Sequence, residues 1–128
     1  MSMPNDIVVI EDDAIMREAL GEWLGGAGYS VRAAADGAAG LAAVEVSVPA
    51  LVITDMHMPG MNGSTVIAEL KQRHPDLPII AISGLFSSGY GIDAGATVAL
   101  GAARALSKPF KRGELLAAIA EVLGSRAT

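Results

Sequence analysis

Three short runs, "IVVI" at 7–10, "LVIT" at 51–54 and "IIAI" at 79–82, most constrain what this chain can fold into. They are rich in β-branched residues and do not alternate with polar ones, which is the pattern of a strand buried on both faces. Two weaker runs, "YSVRA" at 29–33 and "ALS" at 105–107, bring the expected strands to five.

Between the runs the spacing turns helical. Ile15/Met16, Ala19/Leu20 and Trp23/Leu24 fall on one side of a first helix, with Arg17, Glu18 and Glu22 on the other. Asp13 stands as its cap and Gly28 just past its end. A second helix is expected over 37–46 behind Asp36, and a third over 64–73, with Val66, Ile67 and Leu70 inward and Pro75 as its stop. The last, over 111–123, should bury Leu115, Leu116, Ile119 and Leu123 and end at Gly124. A short additional helix is expected near 93–100, where Gly84, Gly89, Gly91, Gly95 and Gly101 interrupt every window. Each glycine costs about 1 kcal/mol against alanine inside a helix. Strand and helix thus alternate five times, which predicts an α/β fold: a five-stranded parallel sheet, doubly wound, with right-handed crossovers and five helices on its two faces.

At 128 residues the chain fits one domain, expected over 1–128 with about the first five residues as a tail and no output domain. With 52% of residues apolar and 18% charged it has the composition of a globular protein, and no apolar run approaches the length of a membrane span. The N-terminus "MSMPND" lacks the regions of a signal peptide, and the absence of cysteine excludes disulfides and thiolate metal sites. A cytoplasmic location is expected. A net charge of −5 with scattered basic residues argues against direct nucleic-acid binding.

In doubly wound sheets, ligands bind beyond the carboxyl ends of the strands. There the first strand runs into Glu11-Asp12-Asp13, the third into Asp55, the fourth into Ser83 and the fifth into Lys108-Pro109. Glu11, Asp12 and Asp55 crowd like charges together, which calls for a compensating cation. Mg²⁺, a hard ion that keeps several waters and takes one or two carboxylates, suits so open a site, with Mn²⁺ as a substitute. A carboxylate nucleophile, a metal, an ammonium and a hydroxyl are the parts that phosphoryl transfer uses. Taken singly, Asp12 and Asp13 read equally well as helix caps, Asp55 as a turn residue and Lys108 as a solvated lysine. His57 and His74 read as ordinary surface histidines, and Met56, Met58 and Met61 as packing around the turn.

The stretches "VVIEDD", "LVITDMHMPGMNG", "IIAISG" and "LSKPF", in this order at four strand ends, resemble the receiver domains of two-component response regulators, chemotaxis regulators among them. The resemblance covers nearly the whole chain and implies the flavodoxin-like strand order 2-1-3-4-5. Carried over by position, it implies that Asp55 is the phospho-acceptor and that Glu11 and Asp12 hold Mg²⁺, joined by Asp55 and the backbone carbonyl of His57. Ser83 would be the switch hydroxyl, and Lys108 would pair first with Asp55 and then with the phosphate. A cis Lys108–Pro109 bond is implied too. The implied donor is a histidine kinase or histidine phosphotransfer protein, docking around Ile15, Met16, Leu85 and Pro109, with an unknown protein downstream. Such a domain is a switch with autophosphorylation and autodephosphorylation only, not a turnover enzyme.

Ala105 departs from the family, which often carries an aromatic residue three positions before the lysine. The glycine-rich stretch "LFSSGYGIDAG" then becomes a candidate to report the switch, with Phe86 or Tyr90 supplying a ring, or else a tolerated insertion. A small metal-dependent phosphohydrolase of similar topology is the alternative, although it needs a further carboxylate near Asp55 where His57 stands. A nucleotide-binding module is disfavoured by the absence of glycine-rich phosphate loops.

Overall fold

The first strand, β1 (Asp6–Ile10), is buried at every position, and its alternate side chains enter two different cores. In the computed structural model, which describes residues 5–84 and 101–126, β3 (Leu51–Asp55) and β4 (Ile79–Ser83) are buried in the same way. β2 (Ser30–Ala34) and β5 (Arg104–Ser107) are the partly exposed edges of one parallel sheet in the order β2-β1-β3-β4-β5. The absence of polar alternation therefore has a simple cause: both faces of the central strands are covered.

Helices α2 (Gly37–Val46) and α3 (Gly63–Arg73) cover one face, where Val44, Val66, Ile67 and Leu70 pack on Val8, Ile10, Val52, Ile79 and Ala81. On the other, Leu20 and Leu24 of α1 (Ala14–Gly26) join Leu115, Ala118, Ile119 and Val122 of α4 (Arg112–Arg126) over Ile7, Val9, Leu51, Ile53, Ile80 and Ile82. Full burial of side chains of this size contributes roughly 1.5–3 kcal/mol each before entropy is counted. Two close approaches are reserved for glycine. A Cβ on Gly40 would lie 2.2 Å from Ile10 Cδ1, and one on Gly63 would lie 2.6 Å from the Asp55 carbonyl oxygen.

The strand order matches the expectation, and the helix count is corrected. Four helices, not five, stand among the described residues, and the helix expected near 93–100 lies outside them. Its sequence basis was thin for a physical reason, since glycines break any apolar stripe there. Smaller corrections concern helix faces. Ile15, expected inward, is 81% exposed, while Leu116 and Leu123 are only partly buried and Ala118 and Val122 take the inner positions of α4. Gly124 does not end that helix, which continues to Arg126.

Local sequence explains where the helices start. Asp13 accepts hydrogen bonds from the Ile15 and Met16 amides, Asp36 from Ala39 and Asn62 from Thr65, so each satisfies amides that the first turn leaves unpaired. Glu114 reaches back to the Lys111 amide at 3.0 Å, half of a capping box. At the edge strand, Arg32 pairs with the buried Asp6 at 2.8 Å and donates to the Ala43 and Ser47 carbonyls at 2.6 and 2.5 Å. That one guanidinium ties β1 and β2 to the end of α2.

Candidate functional site

β1 pairs with β2 on one side and β3 on the other, so the direction of winding reverses between β1 and β3. A crevice opens at such a point, just past the carboxyl ends of the two strands. The residues delivered to it are Glu11, directly after β1, and Asp55, the last residue of β3.

Asp55 is 5% exposed, and its two oxygens have different partners. Oδ1 accepts a hydrogen bond from the His57 amide at 3.2 Å, and Oδ2 faces the Lys108 ammonium at 3.3 Å. Glu11 is fully buried; Oε1 receives Lys108 Nζ at 2.6 Å and Oε2 lies 3.4 Å from the Asp13 amide. Lys108 therefore bridges both carboxylates and sits closer to Glu11, where pairing with Asp55 had been expected. Asp12 is exposed, and one carboxylate oxygen from each of Glu11, Asp12 and Asp55 lies within 4.8 Å of the others.

Three carboxylates cluster beside one ammonium that contacts only two of them, and the electrostatics register the imbalance. Burial, and next the hydrogen bond to Asp55, push Glu11 up to about 7, against the pull of Lys108. Burial works to lower Lys108, but Glu11 and Asp55 outweigh it and hold the ammonium above its ordinary value. Lys108 stays charged. An all-oxygen cluster with surplus negative charge fits a hard divalent cation, and among the described residues it is the one group of three acidic or histidine side chains with metal-binding spacing.

Ser83, the last residue of β4, is fully buried; it pairs in register with Ser107, and its carbonyl accepts from the Lys108 amide at 2.9 Å. The Lys108–Pro109 bond is cis, as the resemblance implied. Met56 and Met58 are buried, and Met61 packs against the same core, which is the packing role expected of them. The His57 side chain is exposed. His74 is less ordinary than expected: it meets Glu45 at 3.0 Å, drawing that carboxyl below its usual range and linking α3 to α2. Of the rim residues, Ile15 and Pro109 are exposed, Met16 packs partly into the core, and Leu85 lies outside the described residues, as does the glycine-rich stretch 85–95. Ala105 is half-buried in β5 opposite Ala81, so no ring stands at that position.

Sequence reading missed Arg17. Its Nη1 donates to the Glu11 carbonyl at 2.8 Å and lies 3.4 Å from the Asp12 carbonyl. The only signal was a cation one helical turn beyond the Asp13 cap, which helix periodicity had assigned to the solvent side.

A doubly wound parallel sheet carrying an acidic trio and a lysine at its switch point defines a class of carboxylate-centred domains able to hold a divalent cation. Comparison with known proteins narrows it: the model of the response regulator receiver domain matches residues 7–120, and the chain belongs to that family. It is 36% identical over 124 residues to the response regulator MprA of Mycobacterium sp. (strain KMS), a match covering 94% of this chain and 51% of the relative. The chain thus spans about half the length of that relative. Among solved structures it superposes on a receiver domain protein from Clostridium thermocellum with a TM-score of 0.87 at 27% identity, covering 95% of this chain and 96% of the other. The receiver domain of NtrX from Brucella abortus gives 0.86 at 31% identity, covering 93% and 98%. Receiver domains act as phospho-accepting switches, and the acidic cluster here has the composition that function uses. No helix among the described residues is long and apolar enough to cross a membrane.

Proposed function

We propose that the chain is a single receiver domain over 1–128 in which Asp55 takes a phosphoryl group from a phosphohistidine, and that a partner-binding surface changes as a result. The observation that carries this reading is the setting of Asp55: a buried carboxylate at a strand end, with two further carboxylates within 4.8 Å and an ammonium at 3.3 Å. An Asp55 oxygen attacks phosphorus, the phosphorus–nitrogen bond breaks with its electron pair left on the imidazole, and that nitrogen regains a proton from water. The sheet holds the nucleophile in place, and the His57 amide fixes the rotation of its carboxylate.

Glu11, Asp12, Asp55 and the His57 carbonyl would hold Mg²⁺. When bound, the ion supplies positive charge against the phosphoryl oxygens and the crowded carboxylates. Lys108 moves between Glu11, Asp55 and the phosphoryl oxygens, and the Ser83 hydroxyl turns onto the same group. The donor is a histidine kinase or histidine phosphotransfer protein, met in the cytoplasm.

Intact-mass measurement after incubation with Mg²⁺ and acetyl phosphate tests the reading. One phosphoryl adduct is expected in the parent protein, none with EDTA and none in Asp55→Asn. Continued labelling of Asp55→Asn at the parental rate would remove Asp55 as the acceptor, and sustained turnover of donor would favour the phosphohydrolase.

A further inference from the structure

The segment Glu11–Asp13 carries two of the three clustered carboxylates and is anchored at its two ends, where the Glu11 amide donates to the Ala34 carbonyl at 3.0 Å and the Asp13 carbonyl accepts from the Arg17 amide at 2.9 Å. Side chains add three further restraints. The Asp13 carboxylate accepts from the Ile15 amide at 3.0 Å, the Asp13 amide reaches Glu11 Oε2 at 3.4 Å, and Arg17 Nη1 reaches back across the loop to the Glu11 and Asp12 carbonyls at 2.8 and 3.4 Å. Arg17 is half-buried, and its guanidinium donates to backbone oxygen in both cases. From behind the loop it therefore restrains the two peptide units that aim the carboxylates.

We infer that Arg17 is the positioning residue of the acidic loop, setting divalent-cation affinity by clamping the backbone of Glu11 and Asp12 without touching the ion. This rests on the proposed metal role of Glu11, Asp12 and Asp55. Two physical effects work together. The clamp lowers the conformational freedom that cation binding would otherwise remove from an exposed Asp12, and the guanidinium places positive charge behind a cluster of negative ones. The second alone would weaken cation binding, so the sign of the Arg17 effect tells which dominates. Hydrogen-bond partners outside the ligand set commonly change metal affinity about 10–100-fold when removed, and orientation is their usual role. Loss of the clamp should accordingly weaken binding.

The experiment is a Mg²⁺ titration of the ¹⁵N-labelled 128-residue chain, followed at the amides of residues 11–14 and 55–57, for the parent, Arg17→Met, Arg17→Lys and Asp12→Asn. Methionine keeps much of the stem and removes the donors; lysine keeps the charge but not the fork. Arg17→Met is expected to raise the Mg²⁺ dissociation constant on the order of tenfold, and to speed amide exchange at residues 11–13 in metal-free protein. Arg17→Lys should recover part of the loss. Thermal melts without metal separate a structural role, which would lower the midpoint while leaving the affinity of the folded protein unchanged. Parental or tighter affinity in Arg17→Met, with Asp12→Asn weakened, overturns the clamp and leaves the metal site standing. Parental affinity in Asp12→Asn as well would overturn the metal reading and the clamp with it.

Discussion

Gly63 is where the sequence has least room for change next to the nucleophile. It is the buried first residue of α3, and its amide donates to the Met56 carbonyl at 3.1 Å. A Cβ added there would lie 2.6 Å from the Asp55 carbonyl oxygen, 2.6 Å from Met56 Cα and 2.7 Å from Met56 Sδ. The first two are backbone atoms, so no rotamer change relieves them, and the helix start and strand end must part by roughly 0.8 Å to restore ordinary contact. Overpacking of this kind costs about 1–3 kcal/mol. With an unfolding entropy of about 2.1 cal/mol/K per residue, Gly63→Ala should lower the melting midpoint by about 4–11 °C. Gly21→Ala is the matched control. Gly21 lies inside α1 and its added Cβ would meet nothing within 4 Å, so this variant should gain about 0.5–1 kcal/mol, or about 2–4 °C. The chemistry should follow the displacement as well. A misplacement on the order of 1 Å can cost about a hundredfold in rate, so Asp55 labelling by acetyl phosphate should slow at least tenfold in folded Gly63→Ala, as a rough figure. Calorimetry and intact-mass time courses read the two effects. A Gly63→Ala protein that melts and labels like the parent would refute the close-packing argument.

Two further outcomes are expected. Glu11 titrates near 7 in the folded chain, against 4.5 ordinarily, so the folded state binds the extra proton between those values. Its contribution is full below about 4.5 and is lost as pH rises through 7, making metal-free protein less stable at pH 8 than at pH 5 by on the order of 1–3 kcal/mol. Urea melts in EDTA should show this slope and lose it in Glu11→Gln; an equal slope in both would assign it to other groups. Ile15, 81% exposed, can be changed without disturbing the core, unlike Met16. Ile15→Glu should slow transfer from a phosphohistidine protein while acetyl phosphate labelling and the melting midpoint hold, and equal transfer rates would move the docking surface elsewhere.

The central strands were legible because burial on both faces leaves a mark that needs no tertiary knowledge: "IVVI", "LVIT" and "IIAI" became β1, β3 and β4 with at most a residue added at each end. The edges were harder. Arg32 sits within β2 because Asp6 and two helix-end carbonyls absorb its charge, partners that lie 26, 11 and 15 positions away in sequence. Helix faces suffered from adjacency. Ile15 and Met16 are neighbours on a helix, 100° apart in an ideal one, so treating them as one apolar position hid the fact that only the second turns inward. At the site, residue types at the strand ends could be read, but not the division of Lys108 between Glu11 and Asp55, because a partition of hydrogen bonds depends on distances that spacing does not encode. Arg17 was missed for a related reason. Helical periodicity sorts side chains into inward and outward, and has no category for one that folds back along the axis to hold a loop.

The strand-end groups make electrostatic sense only as a set. A fully buried Glu11 is costly to ionise, and the ammonium at 2.6 Å reduces that cost without removing it, so the carboxyl still stands at about 7. That close contact leaves Asp55 with the longer one at 3.3 Å, so the nucleophile is held by Lys108 without being tightly neutralised by it. Asp12, exposed and beside them, raises the surplus of negative charge at the crevice mouth instead of relieving it. A phosphoryl group brings more negative charge to the same edge. On the proposed function the cluster would repel an incoming phosphoryl group unless a cation offset it, and that electrostatic need is the physical ground for the proposed divalent ion.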